Sequence, residues 1–193
     1  ISGYKDVKVK KSWCDLKQQM EDLLDEGLEL PMPSLTYKKD MSPNAFAIRG
    51  FMSNGLICVN SGLIEKISLL GQFSDGLKKE VAQKLNIDDP SSDQIRAHML
   101  KAVLLHECGH LYHYHGIKRT FYHIFLRLVL RSAQYIPLPA VKGVSTLLRW
   151  LCLSIPLGYF SRSCERQSDE FAVRFGYGKG LEESLKRVFS VDK

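Results

Sequence analysis

Apolar residues recur at Ile95, Met99, Leu100, Val103 and Leu104, the three-and-four spacing that lays one buried stripe along a helix. Residues 95–115 therefore read as a single helix. Ser91 and Gln94 have the spacing of a capping box at its start, and Gly116 can close it. A similar period near the start places Trp13, Leu16, Met20, Leu23 and Leu24 on one face of a helix over 12–27, with Gly27 at its end. Leu30-Pro31-Met32-Pro33 follows as an extended connector, since two prolines bar a helix. Three short apolar runs, 34–37, 45–49 and 56–60, are separated by Asp40-Met41-Ser42-Pro43-Asn44 and by Ser53-Asn54-Gly55. Turn chemistry at both breaks predicts a small antiparallel meander. Ser61 is placed to cap a short helix reaching Leu70, with a loop over 71–76. A charged, exposed helix over 77–85 follows, then the Asp88-Asp89-Pro90 break.

The stretch 120–160 is patterned differently. Arg119, His123, Arg127 and Arg131 fall at successive i+4 steps, drawing a cationic stripe down a helix that also carries Phe121, Ile124, Phe125, Leu128, Val129 and Leu130. Ile136-Pro137-Leu138-Pro139 breaks it. A second helix over 144–159 has Ser145 and Arg149 as its polar side and Pro156 near its end. Neither half offers the roughly 20 uninterrupted apolar residues of a membrane span, and an arginine at the midplane would cost about 3 kcal/mol or more. A helical hairpin that lies on a membrane or covers a site is expected; the alternative is that both apolar faces pack into the core.

With 193 residues, 45% of them hydrophobic, the chain can bury one core, so a single domain over 1–193 is expected, with 118–160 as a basic apolar hairpin inserted in it. The net charge of +6 changes the picture because it is localised. Between Cys108 and Cys164 there is no Asp or Glu, while Lys118, Arg119, Arg127, Arg131, Lys142, Arg149 and Arg162 are all positive. Basic residues interleaved with long aliphatic runs suit an anionic membrane surface and not a nucleic acid, so no nucleic-acid partner is expected. Five cysteines, at 14, 58, 108, 152 and 164, are odd in number and never in C-x-x-C spacing, which fits a reducing compartment. No signal peptide is visible in the chain, and the expected location is a membrane surface facing the cytoplasm.

The candidate chemistry lies in His106-Glu107-Cys108-Gly109-His110. Residues four apart on a helix stand one above the other, so the two imidazoles can hold one metal ion, and Glu107 can reach a water beside it. This is the H-E-x-x-H arrangement of zinc-dependent peptidases. A catalytic zinc takes three protein ligands and leaves one position open. The pattern with a third histidine at 116 after a glycine at 113 is excluded, because those positions hold Gly116 and His113. His113 remains as a ligand, a support for one, or a surface histidine. Glu165, on a second helix that Ser161 is placed to cap, offers a carboxylate ligand. Asp169, four residues on, shares its face and can accept the N–H of a ligating imidazole. Cys108 reads as a small buried spacer.

His106-Glu107-Cys108-Gly109-His110 followed downstream by Glu165-x-x-x-Asp169-x-x-Ala172 resembles the M48 zinc metallopeptidases, the group that includes the HtpX, Ste24 and Oma1 enzymes. Asn44-Ala45-Phe46-Ala47 and Val59-Asn60-Ser61-Gly62-Leu63 are similar to two further segments of that family, and the resemblance runs from about residue 35 to 190. It implies an α+β, predominantly helical, minigluzincin-like zincin domain, with a small antiparallel-containing sheet beside the active-site helix. It implies one Zn2+ per chain held by His106, His110 and Glu165, with Glu107 as general base and Asp169 as partner of a ligating histidine. It further implies a polypeptide substrate whose extended backbone is held by Asn44, Ala45, Phe46 and Ala47. Hydrolysis of peptide bonds at or near a membrane surface is then the expected function. The alternative is an idle zinc site on a membrane-surface binding or scaffold module. The residue that would stabilise the oxyanion is left open among His113, Tyr159, Arg174 and Tyr177.

Overall fold

A computed structural model describes residues 33–50, 53–132 and 141–188, together with Gln18 and Asp22. Among them are three strands, β1 (Ser34–Lys38), β2 (Ala45–Ile48) and β3 (Leu56–Asn60). The helices are α1 (Ser61–Ser68), α2 (Asp75–Leu85), α3 (Ser92–Tyr112), α4 (His115–Ser132), α5 (Val141–Arg174) and α6 (Gly178–Arg187). A helical majority with a small mixed sheet is an α+β arrangement. The expected 12–27 helix and the 136–139 break lie outside the described residues, apart from a side-chain hydrogen bond of 3.0 Å from Gln18 to Asp22.

The sheet is not a meander. Its order is β1-β3-β2, with β1 parallel and β2 antiparallel to β3. Ile57, Cys58 and Val59 of β3 are all buried, as befits a central strand, whereas β1 and β2 each bury one residue, Leu35 and Ala45. The 40–44 segment has turn chemistry, but it crosses the end of β3 instead of closing a hairpin. Ser61 Oγ donates to the Asp40 carbonyl at 2.8 Å and accepts from the Asp40 N–H at 3.0 Å, and the Gly62 N–H donates to the same carbonyl at 2.8 Å. A Cβ at Gly62 would stand 2.0 Å from the Met41 carbonyl oxygen, so only glycine admits this crossing. Ser61 is thus the first residue of α1, with Asn60 at the cap, and its hydroxyl serves the crossing loop.

Helix α3 is the centre of the core. Both halves of the Ser91–Gln94 capping box form at its start. Met99, Leu104 and Leu105 are fully buried, each contributing about 1.5–3 kcal/mol against exposure. The helix packs chiefly against α5 and α6 and carries β2 across one side. Helix α2 is charged but not wholly exposed: Leu77 and Val81 join the core, and Ser74, within the expected loop, caps it, so that it starts two residues early at Asp75. Its Glu80 reaches α6, accepting from the N–H groups of Lys179 (2.8 Å) and Gly180 (3.0 Å) and meeting His98 Nε2 at 2.8 Å. A carboxylate there satisfies N–H groups that Tyr177, at the cap position, does not.

Two expected boundaries fail for local reasons. Helix α3 does not run to His115: the chain turns at Tyr114, whose φ is 56°, and Gly116 lies inside α4. Ser161 is no cap, because α5 continues for 34 residues through Pro156, joining the expected 144–159 helix to the segment that carries Glu165.

Helices α3 and α5 meet at Gly109, where a Cβ would lie 2.8 Å from Ser168 Cα and 3.1 Å from Phe171 Cβ. Gly109→Val therefore forces the two helices apart and is expected to lower unfolding free energy by about 3 kcal/mol, read from the urea midpoint. An unchanged midpoint would contradict the close crossing.

Candidate metal centre

That crossing brings the third donor to the histidine pair. His106 and His110 stand on one face of α3, and Glu165 reaches them from α5. His106 Nε2 is 3.1 Å from His110 Nε2, and Glu165 Oε2 is 3.4 Å from the first and 3.5 Å from the second. One ligand atom from each of the three residues lies within 4.8 Å of the others, a group that could hold a metal ion. Tetrahedral bonds of about 2.0–2.1 Å have edges of about 3.4 Å, so the triangle has the size of one face of a zinc site. The donor chemistry, two imidazoles and a carboxylate, also fits zinc.

The surroundings hold these groups in place. His106 Nδ1 lies 2.8 Å from Asp169 Oδ1, one helical turn beyond Glu165 on α5. Burial disfavours a charged His106, but its bonds to Asp169 and Glu165 outweigh that and hold its pKa up at about 9. The same imidazoles, through their bonds to Glu165, hold the Glu165 carboxyl well below the usual range. Glu107, half-buried beside them, is pushed up by desolvation, which opposes the attraction of both histidines. Burial raises the Cys108 thiol to about 12, so it stays protonated and serves as packing between α3 and its neighbours.

Strand β2 passes this face with a definite orientation. Hydrogen-bonded and non-bonded pairs alternate along an antiparallel ladder. Asn60 N–H donates to the Asn44 carbonyl at 3.0 Å, so Phe46 and Ile48 bond to their β3 partners, Cys58 and Leu56. Ala45 and Ala47 consequently turn their peptide groups to the outer edge, where no described strand pairs with them. The Ala47 N–H is the one that favours the charged form of the Glu107 carboxylate, lowering its pKa. Asn44 is exposed at the start of the strand and spends its carbonyl on β3.

His113 falls outside the donor triangle, its ring stacked on His115 at 5.4 Å and edge-on to Phe171. Tyr177 is buried against His98 at 4.3 Å, while Tyr159 and Arg174 are exposed. Sequence reasoning named Ala47 only for a substrate backbone and not for Glu107, and it passed over His115. His115 is buried, with its Nδ1 2.9 Å from His110 Nδ1 and its Nε2 2.9 Å from Gln167 Oε1. Its only signal was membership of a histidine-rich run.

A comparison with protein families matches peptidase family M48 over residues 11–189, nearly the whole chain, and the chain belongs to that family. It is thereby placed among metallopeptidases, whose substrates are polypeptides. Neither a curated protein nor a solved structure gives a significant match.

Proposed function

We propose that the chain is a zinc-dependent endopeptidase with a gluzincin arrangement, hydrolysing peptide bonds in extended segments of other polypeptides. The observation that carries this is the triangle of His106 Nε2, His110 Nε2 and Glu165 Oε2, with sides of 3.1, 3.4 and 3.5 Å, beside the half-buried Glu107. These three residues hold one zinc ion, and Asp169 orients His106 through its Nδ1. When bound, zinc lowers the pKa of a water towards about 7 and polarises a carbonyl. Glu107 takes the proton of the attacking water on its carboxylate and passes it to the leaving amine nitrogen. The raised pKa of Glu107 suits the first half of that transfer, since a carboxylate buried in this way takes up a proton more readily than one in water. The substrate adds as a strand along the outer edge of β2, pairing with the peptide groups of Ala45 and Ala47, a mode that reads backbone more than side chains. Asn44 and Phe46 flank that edge and border the bound segment.

The peptidase works at an anionic membrane surface on the cytoplasmic, reducing side. Support comes from α4, which turns Tyr122 onto Phe160 of α5, rings stacked at 5.7 Å, and leaves Phe121, Ile124, Phe125 and Leu128 exposed along an adjoining face. Arg119, Arg127 and Arg131 line a third face, so the helix pairs an apolar stripe with a cationic one, as surface-lying helices do. Among the described residues no helix is long and apolar enough to cross a membrane. Cys58, Cys108 and Cys164 are free thiols.

Glu107→Gln is expected to keep one zinc per chain by elemental analysis while cleavage of a casein-type substrate falls to background. Proteolysis at the wild-type rate in that variant would overturn the assignment. Flotation with vesicles containing an anionic lipid tests the surface. Replacing Arg119, Arg127 and Arg131 by Gln removes about 1 kcal/mol each, so binding is expected to weaken about 100-fold; undiminished flotation would remove the membrane role of α4 from the proposal. Vesicle binding by a wild-type chain that cleaves nothing would favour the scaffold alternative.

A further inference from the structure

We infer that His115 is a positioning residue for His110, holding that imidazole in the tautomer and orientation that offer Nε2 to a metal, and that Gln167 fixes His115 in turn. The inference rests on the metal-centre reading above. An amide oxygen only accepts hydrogen bonds, so His115 Nε2, 2.9 Å from Gln167 Oε1, carries a proton. The nitrogen it leaves as an acceptor, Nδ1, lies 2.9 Å from His110 Nδ1. His110 then keeps its own proton on Nδ1 and presents a lone pair at Nε2, the atom that faces His106 and Glu165. Any other placement of protons either points two N–H groups at each other across 2.9 Å or removes the lone pair from the metal side.

The arrangement is built into the fold. His115 is 4% exposed, so little solvent reaches it to substitute for the acceptor. His113 stacks on its ring with an interplanar angle of 19°, which holds the ring plane. Ser168 Oγ, at 3.4 Å, makes a longer second contact with the same Nδ1. The left-handed residue Tyr114 makes the approach feasible: a continued helix would put residue 115, five positions on from His110, on a different face. Arg49 secures that turn, donating to the Leu111 carbonyl at 3.0 Å and to Tyr114 Oη at 3.1 Å. The two ligating histidines are therefore supported unequally, His106 by the Asp169 carboxylate and His110 by an imidazole–amide relay.

The test uses the full chain, with zinc affinity measured by competition against a chromophoric chelator and metal-free melting followed by circular dichroism. His115→Phe keeps the ring and removes the acceptor; zinc affinity is expected to fall by about 10–100-fold. In His115→Asn the side-chain oxygen can take the place of Nδ1, and affinity is expected to return to within a few-fold of wild type. Gln167→Ala, at an exposed residue, should weaken zinc by an intermediate factor. Metal-free melting should not follow that order. In the zinc-loaded protein, long-range 1H–15N spectra should show His115 protonated on Nε2 and His110 on Nδ1. Wild-type affinity in His115→Phe, an Asn variant no tighter than Phe, or the opposite tautomer at His115 would each overturn the relay while leaving the metal centre standing. A wild-type chain that binds no zinc would instead overturn the metal-centre reading, and the relay with it.

Discussion

The close approach of α3 and α5 at Gly109 is the contact on which the site depends. With Ser168 Cα 2.8 Å from where a Cβ would stand, the helices touch backbone to backbone. Ser168 is wholly buried at that point. The crossing sets the level of α5 against α3, so Glu165, one turn before Ser168, reaches the His106–His110 edge. Asp169, one residue past the contact, reaches the far nitrogen of His106. Gln167, on the other side of Ser168, meets His115. Three side chains that engage the histidines thus come from five consecutive residues of one helix, spread over its circumference by the helical period.

The rest of the fold holds α3 in place. Glu80 ties α2 to α6 and to His98, near the start of α3, while Arg49 ties the end of β2 to its last turn. Between these anchors the helix is buried on nearly all sides, and its histidine face opens beside the outer edge of β2. The Ala47 amide links the two parts, since the peptide that marks the free edge also favours the charged form of Glu107. In the proposed reaction, the groove that seats a substrate backbone and the carboxylate that handles its proton lie side by side.

Long, strongly periodic elements with a defined cap could be read directly: α3 and its capping box are where the pattern of Ile95, Met99 and Val103 puts them. The pairing of His106 with His110 follows from helical spacing alone, and the arrival of Glu165 and Asp169 on one face needed only that their segment be helical. Topology was not legible in the same way. Turn residues at 40–44 report a local reversal, but whether the chain closes a hairpin or crosses β3 depends on Ser61 and Gly62, some 20 residues away. Nor could His115 be placed. Nothing local marks Tyr114 as left-handed, because glycine or asparagine would ordinarily signal it, and without that turn His115 belongs to the wrong helix face. Pro156 and Ser161 misled for the converse reason, as packing carries α5 through residues that locally favour a stop.

Crystals of the zinc-loaded chain, with data collected on both sides of the zinc absorption edge, address the metal centre most directly. One anomalous peak is expected, about 2.0–2.1 Å from the Nε2 atoms of His106 and His110 and about 2.0–2.2 Å from a Glu165 carboxylate oxygen. A peak elsewhere, or one bound by the two histidines with the Glu165 carboxylate turned into solvent, would contradict the proposed site.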